Sequence, residues 1–320
     1  MYENGSNAST EVRHAFRPNR LRADTSCMSR TLLVATAVLA ALVAVPAGAA
    51  PVHPRGTPAE PRIAYVLDGD LWTVLPDGTE DLQITGGPAT DADPAWSPDG
   101  SQIAFTRRSA DGPAIWTVPA VGGAPARLLR KASDPTWAPD GLTIAFVRRA
   151  DRNTDVWAAD ADGSNARRLT SSPAVDLEPS WGTSKIAFVS GRGGRRSIWL
   201  MSGTGRRERR LTGGKGSDRS PTWVLGSGPG LDVLHEHIDT DGDHDLRTVR
   251  VSDGMYTDIL VRSDRDETPS SAALAWFAFA RRTTSSSTIR TSDVDAPMTT
   301  MRIIASAPGL SDPAVAPAVA

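Results

Sequence analysis

Acidic residues recur at two fixed positions relative to a repeated proline. Three residues before it stand Asp91, Asp176, Asp218 and Asp266, and directly before it stand Asp93, Asp134, Glu178 and Asp312. Carboxylates gathered without matching cations repel one another, so a ring of them attracts metal ions or a basic segment of another protein. The competing reading is local, because an aspartate at a loop end accepts hydrogen bonds from nearby N–H groups and fixes the turn. On the sequence both readings stay open.

A second acidic stretch, Asp239, Asp241, Asp243 and Asp245, resembles a calcium loop in composition. In the EF-hand order the glycine comes sixth and an acid twelfth. Here Gly242 is fourth from Asp239 and Arg250 stands where that acid belongs. The stretch is therefore read as a hairpin, with a weak calcium site at these four aspartates as the alternative. His235 and His237, two apart and without a recognisable acid in register, read as a surface strand end. No Gly-x-Ser-x-Gly elbow, phosphate-cradling glycine loop, Cys-x-x-Cys or His-Glu-x-x-His occurs, so no catalytic residue is assigned.

The elements that must position these acids come from a repeat. Pro-Ala-Trp-Ser-Pro-Asp-Gly (94–100), Ile-Ala-Phe-Thr (103–106) and Ile-Trp-Thr-Val (115–118) return in the same order from Pro135 and, without the Pro-Asp-Gly turn, from Pro179. Trp96, Trp137, Trp181 and Trp223 mark a period of about 42 residues carried by strand-like units, the sign of a β-propeller. Eight of the nine tryptophans fall in two slots, the first and third strands of each unit, and are expected to wedge neighbouring blades apart. Second-strand cores begin at Ile63, Ile103, Ile144, Ile186, Leu231 and Phe277. They predict an all-β, six-bladed propeller with four-stranded blades. Nothing like Pro-x-Trp precedes Ile63, while Asp312-Pro313-Ala314 echoes Asp93-Pro94-Ala95. A C-terminal strand is therefore expected to join the N-terminal blade and close the ring.

The Pro-x-Trp-Ser-Pro-Asp-Gly, Ile-Ala-Phe and Asp-x-Trp units resemble the TolB-type, WD-like propeller repeat over about residues 61–320. The resemblance implies an envelope protein that grips partner proteins through one face of the disk. The separate α/β domain that precedes the propeller in TolB has no counterpart here, only a short Pro-rich leader, so membership of a Tol-Pal system does not follow.

Ahead of the repeat, residues 32–45 are an apolar run after Arg30, followed by Ala47-Gly48-Ala49. This reads as a secretory signal over 28–49, too short for a membrane span. Residues 1–27 form an extension expected to be non-structural, with translation starting at Met28, and 50–61 a Pro-rich linker to a propeller over 62–320. The single cysteine, Cys27, lies outside the repeats, so no disulfide is expected. A formal net charge of −2 gives no bulk attraction to nucleic acid. The sequence thus predicts a secreted or cell-envelope, monomeric, non-catalytic protein-binding scaffold without a cofactor. A calcium-dependent hydrolase or lactonase in the central channel is the alternative.

Overall fold

Strands form where large and small apolar residues alternate with period two between glycine, proline and Asp-Gly turns. The computed structural model describes residues 62–225 and 231–263 and the strands at 267–269, 276–282, 287–293, 302–307 and 311–315; side chains are described for 62–224 and 231–256. The extension, signal segment and linker (1–27, 28–49 and 50–61) lie outside the described residues. There is no helix among the described residues, hence none long and apolar enough to cross a membrane.

Consecutive antiparallel strands make up each sheet. The first contains β1 (Ile63–Leu67), β2 (Asp70–Val74) and β3 (Leu82–Gln83), and the second β4 (Thr90–Trp96), β5 (Gln102–Ser109), β6 (Gly112–Pro119) and β7 (Ala126–Arg130). The third is β8 (Ser133–Trp137), β9 (Thr143–Ala150), β10 (Asn153–Asp160) and β11 (Arg167–Arg168); the fourth is β12 (Asp176–Trp181), β13 (Lys185–Ser190), β14 (Ser197–Ser202) and β15 (Arg209–Arg210). The fifth is β16 (Ser217–Leu225), β17 (Leu231–Ile238), β18 (His244–Arg250) and β19 (Tyr256–Ser263). Beyond these, β20 (Glu267–Pro269), β21 (Trp276–Arg282), β22 (Ser287–Asp293) and β23 (Arg302–Ala307) pair with one another, and β24 (Ser311–Val315) adds to β1 with Ile63 opposite Val315.

The expectation of a six-bladed propeller with four-stranded blades is corrected here. The blades whose packing the described side chains define are five, with three strands of their own (β1–β3) or four (the next four sheets). The last sheet and β24 are described by backbone pairing alone. The sequence leaves the repeat in this region, where Ser271 replaces the blade tryptophan and a Gly-rich segment replaces the Pro-Asp-Gly turn after Trp223.

The core lies between blades, and strand alternation dictates how. Ile103 and Phe105 pack with Ala64, Val66 and Leu71 of the preceding blade, while Ala104 between them packs with Ile144 and Phe146 of the following one. The same exchange recurs, with Ala145 against Ile186 and Phe188, and Ala187 against Val233. Each blade thus presents bulk to one neighbour and an alanine to the other, which lets the sheets approach closely. Phe105, Phe146 and Phe188 are fully buried, each contributing roughly 2–3 kcal/mol. Most repeat tryptophans are half-buried against these clusters, as wedges should be, and Trp223 passes so close to Gly182 that a Cβ there would lie 2.6 Å from the indole.

Candidate binding face at the channel mouth

The first strands of successive sheets touch one another, β4 with β8, β8 with β12 and β12 with β16, so they line the centre of the ring. Each carries the same irregularity. Pairing with the second strand slips between Ala92 and Ala95, Ser133 and Thr136, Leu177 and Ser180, and Arg219 and Thr222. The extra residues are the acid–proline pairs, Asp93-Pro94, Asp134-Pro135 and Glu178-Pro179, and Ser220-Pro221 in the fifth sheet. Proline donates no ladder hydrogen bond and so fits a bulge. The residue before it is left-handed every time, with φ of 52° at Asp93, 51° at Asp134, 49° at Glu178 and 50° at Ser220. A non-glycine residue there costs about 1–2 kcal/mol, and repeated strain of this kind marks a place where the side chain is being aimed.

The three aimed carboxylates interact in sequence, Asp93 with Asp134 and Asp134 with Glu178. Asp93 shares a side-chain hydrogen bond with Asp134, and burial together with the Asp134 charge raises Asp93 to about 7, against the partial relief of Arg108 at 3.3 Å. Burial and the Glu178 charge likewise push Asp134 upward. Glu178 is raised by burial, although it accepts the N–H of Ser220 in the next blade at 2.6 Å and feels Arg196 and Arg219. Because the Asp93 side chain is still 25% exposed, water or a ligand in the channel reaches this tier.

The acids three residues before the proline are placed differently. Asp91 is fully buried and forms a two-pronged pair with Arg107, both N···O distances being 2.7 Å. The Arg107 guanidinium lies 5.2 Å from the ring centres of both Phe105 and Trp116. Asp176 is buried against Arg192 at 2.9 Å, with Arg192 also paired to Glu208 and stacked 4.6 Å over Trp199. These carboxylates neutralise an arginine clamped on the blade's aromatics. In blade three Ala132 occupies the acid position; Arg148 keeps its stacks on Phe146 (4.9 Å) and Trp157 (5.2 Å), and the blade's ion pair is instead Asp155–Arg168 at 2.6 Å. The arginine two residues after each Ile-Ala-Phe in blades two and three is the sequence signal for this clamp, and the acids alone did not reveal it. Asp266 lies outside the described residues, and Asp312 falls on β24 without a described side chain.

Blade five swaps the clamp for imidazole. His235 stands where the other blades have phenylalanine, and His237 stands opposite Asp218 as Arg107 stands opposite Asp91. His237 Nδ1 is 2.6 Å from Asp218, which also accepts from Thr212. Burial alone would raise the Asp218 carboxyl, but these partners and His235 hold it below its ordinary value. His235 is fully buried, 3.6 Å from Asp218, with neither ring nitrogen hydrogen-bonded, and burial lowers it to about 4. The reading of His235 and His237 as a surface strand end is therefore corrected, because the matching acid comes from the neighbouring strand.

The 239–245 stretch forms the β17–β18 hairpin. Asp239 accepts the N–H groups of Asp241 (2.8 Å) and Asp243 (3.1 Å), fixing the turn, and Asp245 pairs with Arg247 at 2.8 Å. The described residues contain no group of three His, Cys, Asp or Glu side chains placed to hold a metal ion.

The family model for the TolB beta propeller domain (PD40) matches residues 129–319, more than half of the chain. TolB from Acinetobacter baumannii superposes with a TM-score of 0.70 at 21% identity, over 80% of this chain and 66% of that one. A protein described as a TolB from Agrobacterium tumefaciens gives 0.55 at 24%, over 62% and 76%, and a chain of a nidogen/laminin complex 0.63 at 12%, over 80% and 98%. No curated protein matches the sequence. With its repeat, its interlocked blades and a match across residues 129–319, this chain belongs to the TolB β-propeller family.

Proposed function

We propose that this protein is an extracytoplasmic, non-catalytic binding scaffold whose channel mouth grips a basic segment of a partner protein. The observation that carries the reading is the tier of Asp93, Asp134 and Glu178. Three left-handed bulges aim these carboxylates at the centre of the ring, where burial raises all three and repulsion from a neighbouring carboxylate adds to it at Asp93 and Asp134. A lysine or arginine entering the tier relieves that repulsion, and the strain of the bulges is then matched by binding. A chain of similar fold occurs in a nidogen/laminin complex, so this fold is found in a protein–protein assembly. The secretory reading of residues 28–49 supports an extracytoplasmic site of action.

Calorimetric titration with an Arg/Ser-rich decapeptide tests this. Binding should tighten from pH 5 to pH 8 as the tier ionises, and should release protons because the entering cation lowers the carboxyl pKa values. The double variant Asp93→Asn/Asp134→Asn should weaken binding by about tenfold or more, whereas the exposed-surface change Asp111→Asn should leave it unaltered. Equal affinity in the tier variant and the wild type would sink the proposal.

A further inference from the structure

Comparison of the aromatic-stacked arginines around the ring isolates one cation. Arg107 and Arg192 are clamped on aromatic rings and each meets a buried carboxylate at 2.7–2.9 Å. Arg148 is clamped in the same way between Phe146 and Trp157, but Ala132 replaces the acid. Its one hydrogen bond among the described residues is to the carbonyl of Arg130 at 3.3 Å. Asp155, opposite it in the strand register, is already held by Arg168, Asn153 and Thr170. A half-buried guanidinium without a counter-charge is costly unless something supplies one. Around Arg148, Arg130, Lys131, Arg149 and Arg152 are exposed and form no ion pair among the described residues, Asp151 being the acid beside them. The β7–β8 connection and the β9–β10 hairpin that carry them lie on the same side of the disk, the side where outermost strands cross to the next blade.

We propose that Arg148 is the centre of a carboxylate-binding site that receives an aspartate or glutamate from an acidic segment of a partner protein, with Arg130, Lys131, Arg149 and Arg152 engaging its flanks. The sister blades show which group fits, since an aspartate carboxylate satisfies the equivalent clamp from within the chain. In blade three that carboxylate comes from outside. The mouth then offers two separate charges, the acid tier for a basic element and Arg148 for an acidic one.

Fluorescence anisotropy of the full chain with a labelled Asp/Ser-rich decapeptide, beside its Asn/Ser counterpart, tests the site. The wild type should prefer the Asp peptide, and Arg148→Met, which keeps the apolar stack, should weaken it about tenfold, the scale of one lost bidentate charge-assisted contact. Ala132→Asp should weaken it equally by supplying the internal carboxylate, while melting at or above the wild-type temperature. Asp93→Asn/Asp134→Asn should bind the acidic peptide undiminished, so this proposal and the acid-tier reading fail separately. The site is overturned if both blade-three variants fold and bind like the wild type, or if only the exposed pair Lys131→Ser/Arg149→Ser abolishes binding. It is equally overturned if the peptide fails to bind while inorganic phosphate raises the melting temperature of the wild type but not of Arg148→Met.

Discussion

Two residues apart in sequence, Asp91 and Asp93 do opposite electrostatic work. Asp91 is neutralised by Arg107 inside the blade, whereas Asp93 is held against Asp134. The Asp93 carboxyl, raised to about 7, stays protonated in the folded protein across a range in which the unfolded chain, near 3.8, has ionised. The folded state then binds the extra proton, so stability falls as pH rises from about 4 to 7. Asp93→Asn should therefore melt like the wild type near pH 4 and about 2–4 °C higher above pH 7, apart from any loss through Arg108. Melts at intervals from pH 4 to 8 check this, and a pH-independent difference would contradict it. The sequence shows both acids but not their division, because which one the bulge turns into the channel depends on a register slip that spacing alone does not reveal.

At the scale of the element, the repeat makes each blade a control for the next. Strand alternation, the Ile-Ala-Phe second strands and the Asp-Gly turns were legible because they are local and periodic, and Asp68 and Gly69 adopt the positive φ values, 54° and 87°, that a tight hairpin requires. What crosses between strands was not legible. Asp218 lies 19 residues from its partner His237, and only pairing of β16 with β17 brings them together. The same pairing buries His235, which Asp218 on β16, His237 on β17, Arg247 on β18 and Tyr256 on β19 surround. Lowered to about 4, His235 remains neutral while the unfolded chain protonates near 6.5, so blade five loses stability as pH falls through that window. His235→Phe restores the residue of the sister blades. It should raise the melting temperature, with a larger gain at pH 5 than at pH 8, and a gain independent of pH would show that His235 is not the titrating group.

For the whole molecule, the first sheet is completed by a strand from the far end of the chain. With β24 on β1, the first blade has its full set of neighbours and its innermost edge is covered. Deleting residues 309–320 should lower the melting temperature by at least about 5 °C, and an unchanged melt would show that the ring holds without that strand. The sequence indicated this closure through the echo of Asp93-Pro94-Ala95 in Asp312-Pro313-Ala314. It did not indicate how the last sheet packs, since its residues abandon the tryptophan and Pro-Asp-Gly code that makes the other blades readable. Closure also sets a clock on biosynthesis. Roughly 250 residues separate β1 from its last partner, so at ordinary elongation rates of about 5–20 residues per second the edge of Ile63–Leu67 stays unpaired for some 12–50 s of synthesis, an interval in which it can recruit other strands.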